Sequence, residues 1–325
     1  MSANSSTSVQ IAYLNFITRE INRYVTIPTL IFGSIGNILN ILVFSRSHIR
    51  NNPCSLYFLF GSINNLVSVI VGLITPFLGL YNLDPTQRIN ILCKLRFYFR
   101  FTTITLSTWF ILFACIDRYF STSIDITRRS WSSLRIAKRT VIFASLFGFL
   151  FPYTELFYCY SVNQQNVCTY TILTCKMISE TVLLIFNSGI PPIIMVVISY
   201  LTVQQIKHIH FHSNRDTQLV RILLVQVFVL VLFAIPITSQ KVYSYITIFE
   251  TKSPLRTAIE SLIIQICTAA SYIYNSTTFY VYSLTSKRFR KEVSQIFACQ
   301  YWRTNIIHPR QLNTSNPKEI LPKIN

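Results

Sequence analysis

An all-α membrane protein, a seven-transmembrane helix bundle with a short amphipathic eighth helix, is the fold class this sequence predicts, on three observations. The 325-residue chain is 51% hydrophobic and only 12% charged, whereas a soluble domain carries about 25% charged residues. Too little polar material is present to cover a water-facing surface, so much of the outside must face lipid. Seven apolar runs approach the roughly 20 residues that a helix needs to cross a hydrocarbon core of about 30 Å. The net charge of +18 sits in short basic clusters between those runs, which is how membrane topology is written. A nucleic-acid-binding protein would gather such charge on one soluble face, so nucleic acid is set aside as a partner.

Taken in order, polar residues 1–23 read as an extracellular segment without the apolar core of a cleavable signal peptide. The seven-helix domain covers 24–285. Its spans lie at about 24–46, 55–81, 93–119, 136–159, 178–203, 217–243 and 257–284. In hydrocarbon the backbone can bond only to itself, so helices are the expected form. Pro28, Pro76, Pro152, Pro192 and Pro236 fall inside the spans, and each should kink its helix. With 7 glycines and 12 prolines, long flexible linkers are not expected, and no soluble second domain or inverted repeat is visible. Over 286–299, Phe289, Val293, Ile296 and Phe297 recur at helical spacing opposite basic residues, the pattern of an interfacial helix. Cys299 at its end is a candidate for palmitoylation, and 300–325 reads as a cytoplasmic tail.

An odd number of spans puts the two flanks on opposite sides. Arg46, Arg50, Arg128, Arg129, Arg135, Lys138, Arg139, Lys207, Arg215, Arg221 and the basic residues of the tail share one side. Arg19, Arg23, Arg88, Lys176, Lys252 and Arg256 share the other. The richer side should be cytoplasmic, giving a multi-pass plasma-membrane protein with its N-terminus outside. Asn4-Ser5-Ser6 then becomes a glycosylation acceptor. Cys54, Cys115, Cys267 and Cys299 fall in spans or inside. Cys93, Cys159, Cys168 and Cys175 fall outside, where disulfides persist and four cysteines allow three pairings.

The third run ends in Asp117-Arg118-Tyr119. An ionised pair at a span's inner end is expensive and so functional by default, the plain alternative being a charged stop at the membrane edge. Spacing decides between them. Cys93 stands 25 residues before Arg118, and Asp216 stands 20 before Pro236 in the sixth run. Gly36-Asn37 lies in the first run, and Pro192 is followed eight residues on by Tyr200. Ser286-Lys287-Arg288-Phe289-Arg290-Lys291-Glu292 follows the seventh. In order and separation these resemble the motifs of rhodopsin-like (class A) G-protein-coupled receptors, from about Tyr24 to Cys299.

The chain also departs from that pattern. Asn65 stands where the family has the second-span aspartate of its sodium site, although Ser107 matches another ligand there. Ala234 replaces the sixth-span tryptophan, and the fourth span lacks its tryptophan. The seventh-span N-P-x-x-Y aligns either with Thr278 to Tyr282, counting back from Phe289, or with Asn275 to Phe279. The first needs no insertion and is preferred.

The resemblance implies that Arg118 pairs with Asp117 and Asp216, tying helices three and six at their inner ends. An external ligand would favour a state in which helix six swings out. A heterotrimeric G protein would enter beneath Arg118, with Tyr200 and Tyr282 packing behind it. It also implies a Cys93–Cys168 disulfide, after which Cys159–Cys175 can form a second. Basic residues of the second inner loop and tail would meet anionic membrane lipids, topology alone being the plainer account of them.

Arg100 stands seven residues after Cys93, where amine receptors carry an aspartate, so a protonated amine would be repelled. No lysine occurs in the seventh span, so retinal has no Schiff-base partner. Arg96, Arg100, Glu155, Glu180, Gln240, Lys241, Glu260 and Gln265 would line a mixed polar vestibule in the outer third. With the short third inner loop, this is similar to invertebrate neuropeptide-type orphan receptors. Arg100 or Arg96 would grip an anionic ligand group by a bidentate contact; the alternative is an ion pair with Glu155 or Glu180, or snorkelling. A chemosensory receptor for small molecules fits the aromatic-rich spans equally. A seven-helix transporter or channel should carry an ionisable relay near mid-membrane, which the spans lack. A signalling-silent decoy is a further alternative. His208 and His212 have helical metal-ligand spacing, but no carboxylate or cysteine completes the set. No cofactor is implied, and no phosphate-cradling loop, paired-carboxylate site or metalloprotease pattern points to an enzyme.

Overall fold

The computed structural model describes residues 2–208 and 214–298; of 2–5, 208 and 214–217 it describes the backbone alone. The helices are α1 (Ser2–Phe44), α2 (Ser47–Arg50), α3 (Pro53–Gly79), α4 (Asn90–Ser121), α5 (Ile126–Arg129) and α6 (Leu134–Leu150). They continue with α7 (Leu156–Cys159), α8 (Leu173–Leu183), α9 (Ile190–His208), α10 (Asn214–Ile246), α11 (Pro254–Thr285) and α12 (Lys287–Phe297). Strands β1 (Tyr160–Val162) and β2 (Cys168–Tyr170) form a hairpin between α7 and α8. A π-helical segment, Leu184–Gly189, joins α8 to α9.

Among the described residues, six stretches are long and apolar enough to cross a membrane: α1, α3, α4, the α8–α9 run, α10 and α11. The seventh is α6, only 17 residues long and hence about 25 Å. The expected span 136–159 is corrected here. Pro152 does not kink it, because the helix stops at Leu150, before the residue whose helical geometry a following proline disfavours. A turn and α7 then carry the chain outward. Pro28, Pro76 and Pro236 do lie inside continuous helices.

Residues expected as a separate extracellular segment are instead continuous with the first span, since α1 runs unbroken from Ser2. No glycine precedes Gly33 and no proline precedes Pro28, so nothing in the sequence halts the helix. The hairpin was not anticipated. Its signal is Asn163-Gln164-Gln165-Asn166 between two short aromatic and β-branched runs. Asn163 Oδ1 accepts from the backbone of Gln165 (3.0 Å) and Val167 (2.9 Å), and Asn166 takes a left-handed φ of 56°.

Caps fix several helix starts. Asn52 Oδ1 accepts from Cys54 N at 3.0 Å with Pro53 as the first helical residue, Ser253 serves α11 before Pro254, and Ser286 serves α12. The core falls into two main parts. The inner one packs Phe44, Phe58, Phe110, Leu112, Tyr282 and Phe289; the outer one packs Cys93, Tyr153, Leu156 and Tyr160 around the hairpin. There Phe97 and Tyr160 stack with centroids 3.9 Å apart. Helix α12 follows α11 and docks Phe289 on Phe44 and Tyr282.

Candidate functional site

At the inner end, α4 delivers Asp117 and Arg118, 7% and 3% exposed. Arg118 Nη2 and Nε donate to Asp117 Oδ2 at 2.6 and 3.1 Å, and Asp117 Oδ1 accepts from Ser132 Oγ at 2.7 Å. Arg118 Nη2 also reaches Asn52 Oδ1 at 3.4 Å. Thr122 Oγ1, one turn on, lies 3.0 Å from Gln205 Oε1 of α9. A charge pair so poorly hydrated is strong, and each member is costly to strand alone. Asp216 belongs to α10, but its side chain lies outside the described residues.

Deeper in the bundle, Asn37 Nδ2 donates to Gly33 O (2.8 Å) and Asn275 O (3.1 Å). Asn40 Nδ2 donates to Thr278 Oγ1 at 3.2 Å, and Thr278 Oγ1 to Asn37 Oδ1 at 3.4 Å. Tyr282 is 2% exposed and its hydroxyl donates to Gln226 Oε1 at 2.9 Å. Thr278 and Tyr282 therefore both make contacts from α11 to other spans. Ser107 Oγ donates to Asn65 Oδ1 at 2.6 Å, so two neutral groups are bonded where the family pattern has a carboxylate.

At the end carrying the disulfides, here the outer end, Cys93 is bonded to Cys168 and Cys159 to Cys175. The first bridge pins α4 to β2. Arg96 Nη1 reaches Asp84 Oδ2 at 3.5 Å and Thr86 Oγ1 at 3.2 Å. Arg100 has no ion pair among the described residues; its guanidinium lies 5.3 Å from the Tyr272 ring and 5.5 Å from the Phe101 ring. Glu180 pairs with Lys241 at 2.5 Å. Glu260 accepts from Lys252 Nζ (2.6 Å), Tyr243 Oη (2.8 Å) and Arg256 Nε (3.1 Å). Lys176, Gln240, Tyr243, Arg256 and Glu260 border a cleft of ≈ 550 Å³ between the outer ends of α10 and α11. Gln265 instead donates to Asn22 of α1 at 3.2 Å, and Glu155 buries Oε1 with no hydrogen-bond partner among the described residues.

The sequence model of the seven-transmembrane receptors of the rhodopsin family matches residues 36–278. The chain belongs to that family. Among curated proteins no match was found. A multi-pass membrane receptor with two extended, oppositely placed polar regions is thus the frame for the individual residues.

The receptor's expected vestibule is divided. Gln240 and Glu260 share the cleft, Glu180 and Lys241 pair with each other, and Arg96 and Gln265 face other partners. Neither arginine pairs with Glu155 or Glu180, which corrects that alternative. Pro236 lines the same cleft, and Pro192 follows the π-helical turn. Tyr200 is 62% exposed on α9. Tyr119 is half-buried with its ring 5.7 Å from Phe120. Asn4, His208, His212 and Cys299, with the chemistry expected of them, lie outside the described side chains; among the rest no cluster could hold a metal ion.

Sequence reasoning missed Gln226, Asp84 and Tyr272. Gln226 is 1% exposed, and its signal was a lone amide inside an apolar run. Tyr272 carried none, because tyrosine is ordinary in this composition. It fits against α3 only because residue 72 is glycine, where a Cβ would overlap the Tyr272 ring.

Proposed function

We propose that the chain is a plasma-membrane receptor, N-terminus outside, that binds a short anionic peptide and activates heterotrimeric G proteins. One observation carries the ligand class. Arg100 stands inside the outer half of the bundle, facing aromatic rings, with no carboxylate paired to it among the described residues. An arginine at such depth is expensive and functional by default, and a ligand carboxylate would give it a bidentate partner. Arg96 is already engaged by Asp84 and serves as support. The cleft between the outer ends of α10 and α11, bordered by Lys176, Arg256 and Glu260, is large enough for peptide side chains.

At the other end, the buried Asp117–Arg118 pair supports the coupling role. It is a bond that a better partner can replace, and with Tyr282, Tyr119 and Asp216 it forms the proposed switch. The test is energy transfer between Gα and Gβγ in cells challenged with peptides bearing a free or amidated C-terminus. Wild type should respond to acidic peptides. At equal surface expression, Arg100→Gln should lose that response and Arg118→Ala should lose signalling to every peptide. A response confined to uncharged small molecules, or untouched in Arg100→Gln, would replace the peptide reading with a chemosensory one.

A further inference from the structure

The fifth span changes pitch near mid-membrane. Leu184–Gly189 is π-helical, and residue 189 must be glycine there, because a Cβ would lie 2.6 Å from Leu184 O. The widened turn presents Phe186 O to Trp109 Nε1 (2.8 Å) on α4 and Ser188 O to Thr238 Oγ1 (3.1 Å) on α10. Asn187 Oδ1 accepts from Thr108 Oγ1 at 3.1 Å. Such bulges recur at functional sites.

Two empty spaces meet beside this turn, and Ser188 and Ala234 border both. One is a chamber of ≈ 40 Å³ inside the bundle, bounded by Thr108, Asn187 and Asn275. The other is a cleft of ≈ 470 Å³ between α9 and α10, walled by Pro192, Ile193, Val197, Val231 and Ile235. Ile193, Val197 and Ile235 are 65%, 52% and 59% exposed, so the cleft opens on the lipid. Ala234, at the boundary of both, is a small side chain where the family pattern has tryptophan. At the inner end, Asn275 is 2% exposed and its Nδ2 donor has no hydrogen-bond partner among the described residues. An unmade hydrogen bond at a buried position is expensive, so this donor lacks an acceptor.

We infer that the two spaces connect past Ala234 and form an intramembrane site for a neutral single-chain amphiphile drawn from the bilayer. Its chain lies in the α9–α10 cleft, and a hydroxyl or carbonyl oxygen enters the chamber to accept from Asn275 Nδ2. The cleft has the size of an ordinary ligand site, about 300–1,000 Å³. The chamber admits a head of about two or three heavy atoms. No acidic or basic side chain borders either space among the described residues, so a charged head would be uncompensated. The site is independent of Arg100 and of whatever ligand binds there.

The test uses full-length receptor in lipid nanodiscs with a diazirine-tagged monoacylglycerol, its crosslinks mapped by peptide mass spectrometry. Crosslinks should concentrate at 188–197 and 231–239, and a tagged fatty acid, carrying a carboxylate, should label these segments weakly. Ala234→Trp, which fills the passage, and Asn275→Leu, which removes the donor, should each lower labelling about tenfold. Ile193→Trp, on the exposed wall where folding is not at risk, should lower it as well, while Arg100→Gln should leave it unchanged. Labelling spread evenly over the lipid-facing helices, or unaltered in both Ala234→Trp and Ile193→Trp, would overturn the assignment.

Discussion

Replacing Tyr282 by phenylalanine removes one oxygen from the inner core, and the structure gives the size of the effect. The hydroxyl is buried, 2.9 Å from Gln226 Oε1, and Gln226 is 1% exposed. Without the donor, that carbonyl oxygen is left in a dry site, at a cost of about 1–3 kcal/mol. Gln226→Leu strands the tyrosine hydroxyl instead, with a cost of the same size. Replacing both partners by apolar groups of similar shape is far milder, so the double variant should be no worse than either single. One kcal/mol moves the midpoint of a 150–250-residue domain by about 2–4 °C, and a larger chain by less. Each single should therefore lower the thermal midpoint by about 1.5–4.5 °C in detergent, measured at one scan rate because such unfolding is often irreversible. Since the bond joins α10 to α11 at their inner halves, both singles should also raise basal G-protein activation. Strictly additive losses in the double variant would refute the reasoning, because independent sites add and bonded partners do not.

Other consequences follow from the same geometry. The Cys159–Cys175 bridge spans 16 residues, and a loop of that size is worth about 3 kcal/mol in the unfolded-chain account; Cys159→Ser with Cys175→Ser should melt earlier while the Cys93–Cys168 bond still resists thiol labelling. Gly72→Ala drives a methyl into Tyr272, so it should weaken the response to acidic peptides at unchanged surface expression, by displacing the ring that faces Arg100. Burial alone would raise the Glu292 carboxyl, but hydrogen bonds from His48 and Arg46 outweigh it and hold the group below the usual carboxylate value. Its contribution is therefore complete above an unfolded pKa of about 4.3 and is lost as pH falls through the lower folded value. Glu292→Gln should destabilise at neutral pH and flatten the acid limb of the melting profile.

Seven spans and the place of Arg118 near the end of the third were legible in the residues themselves. Hydropathy over about 20 residues is local, and hydrocarbon forces any such run to satisfy its backbone as a helix. Motif spacing along one helix survives folding too, which is why Asp117, Arg118 and Cys93 stand where the reading put them. The amphipathic spacing of Phe289 and Val293 likewise located α12. Partners were a different matter. Which arginine is neutralised depends on Asp84, which lies in a loop, and no periodicity announces it. Thr278 meets Asn37 across 241 positions, a relation set by how far α1 and α11 are rotated and at what depth they cross. The π-helical turn at Leu184–Gly189, the early end of α6 and the division of the expected vestibule share that origin. Each depends on helix rotation and packing against neighbours distant in the chain, whereas a single sequence fixes only what a residue's near neighbours and its solvent demand.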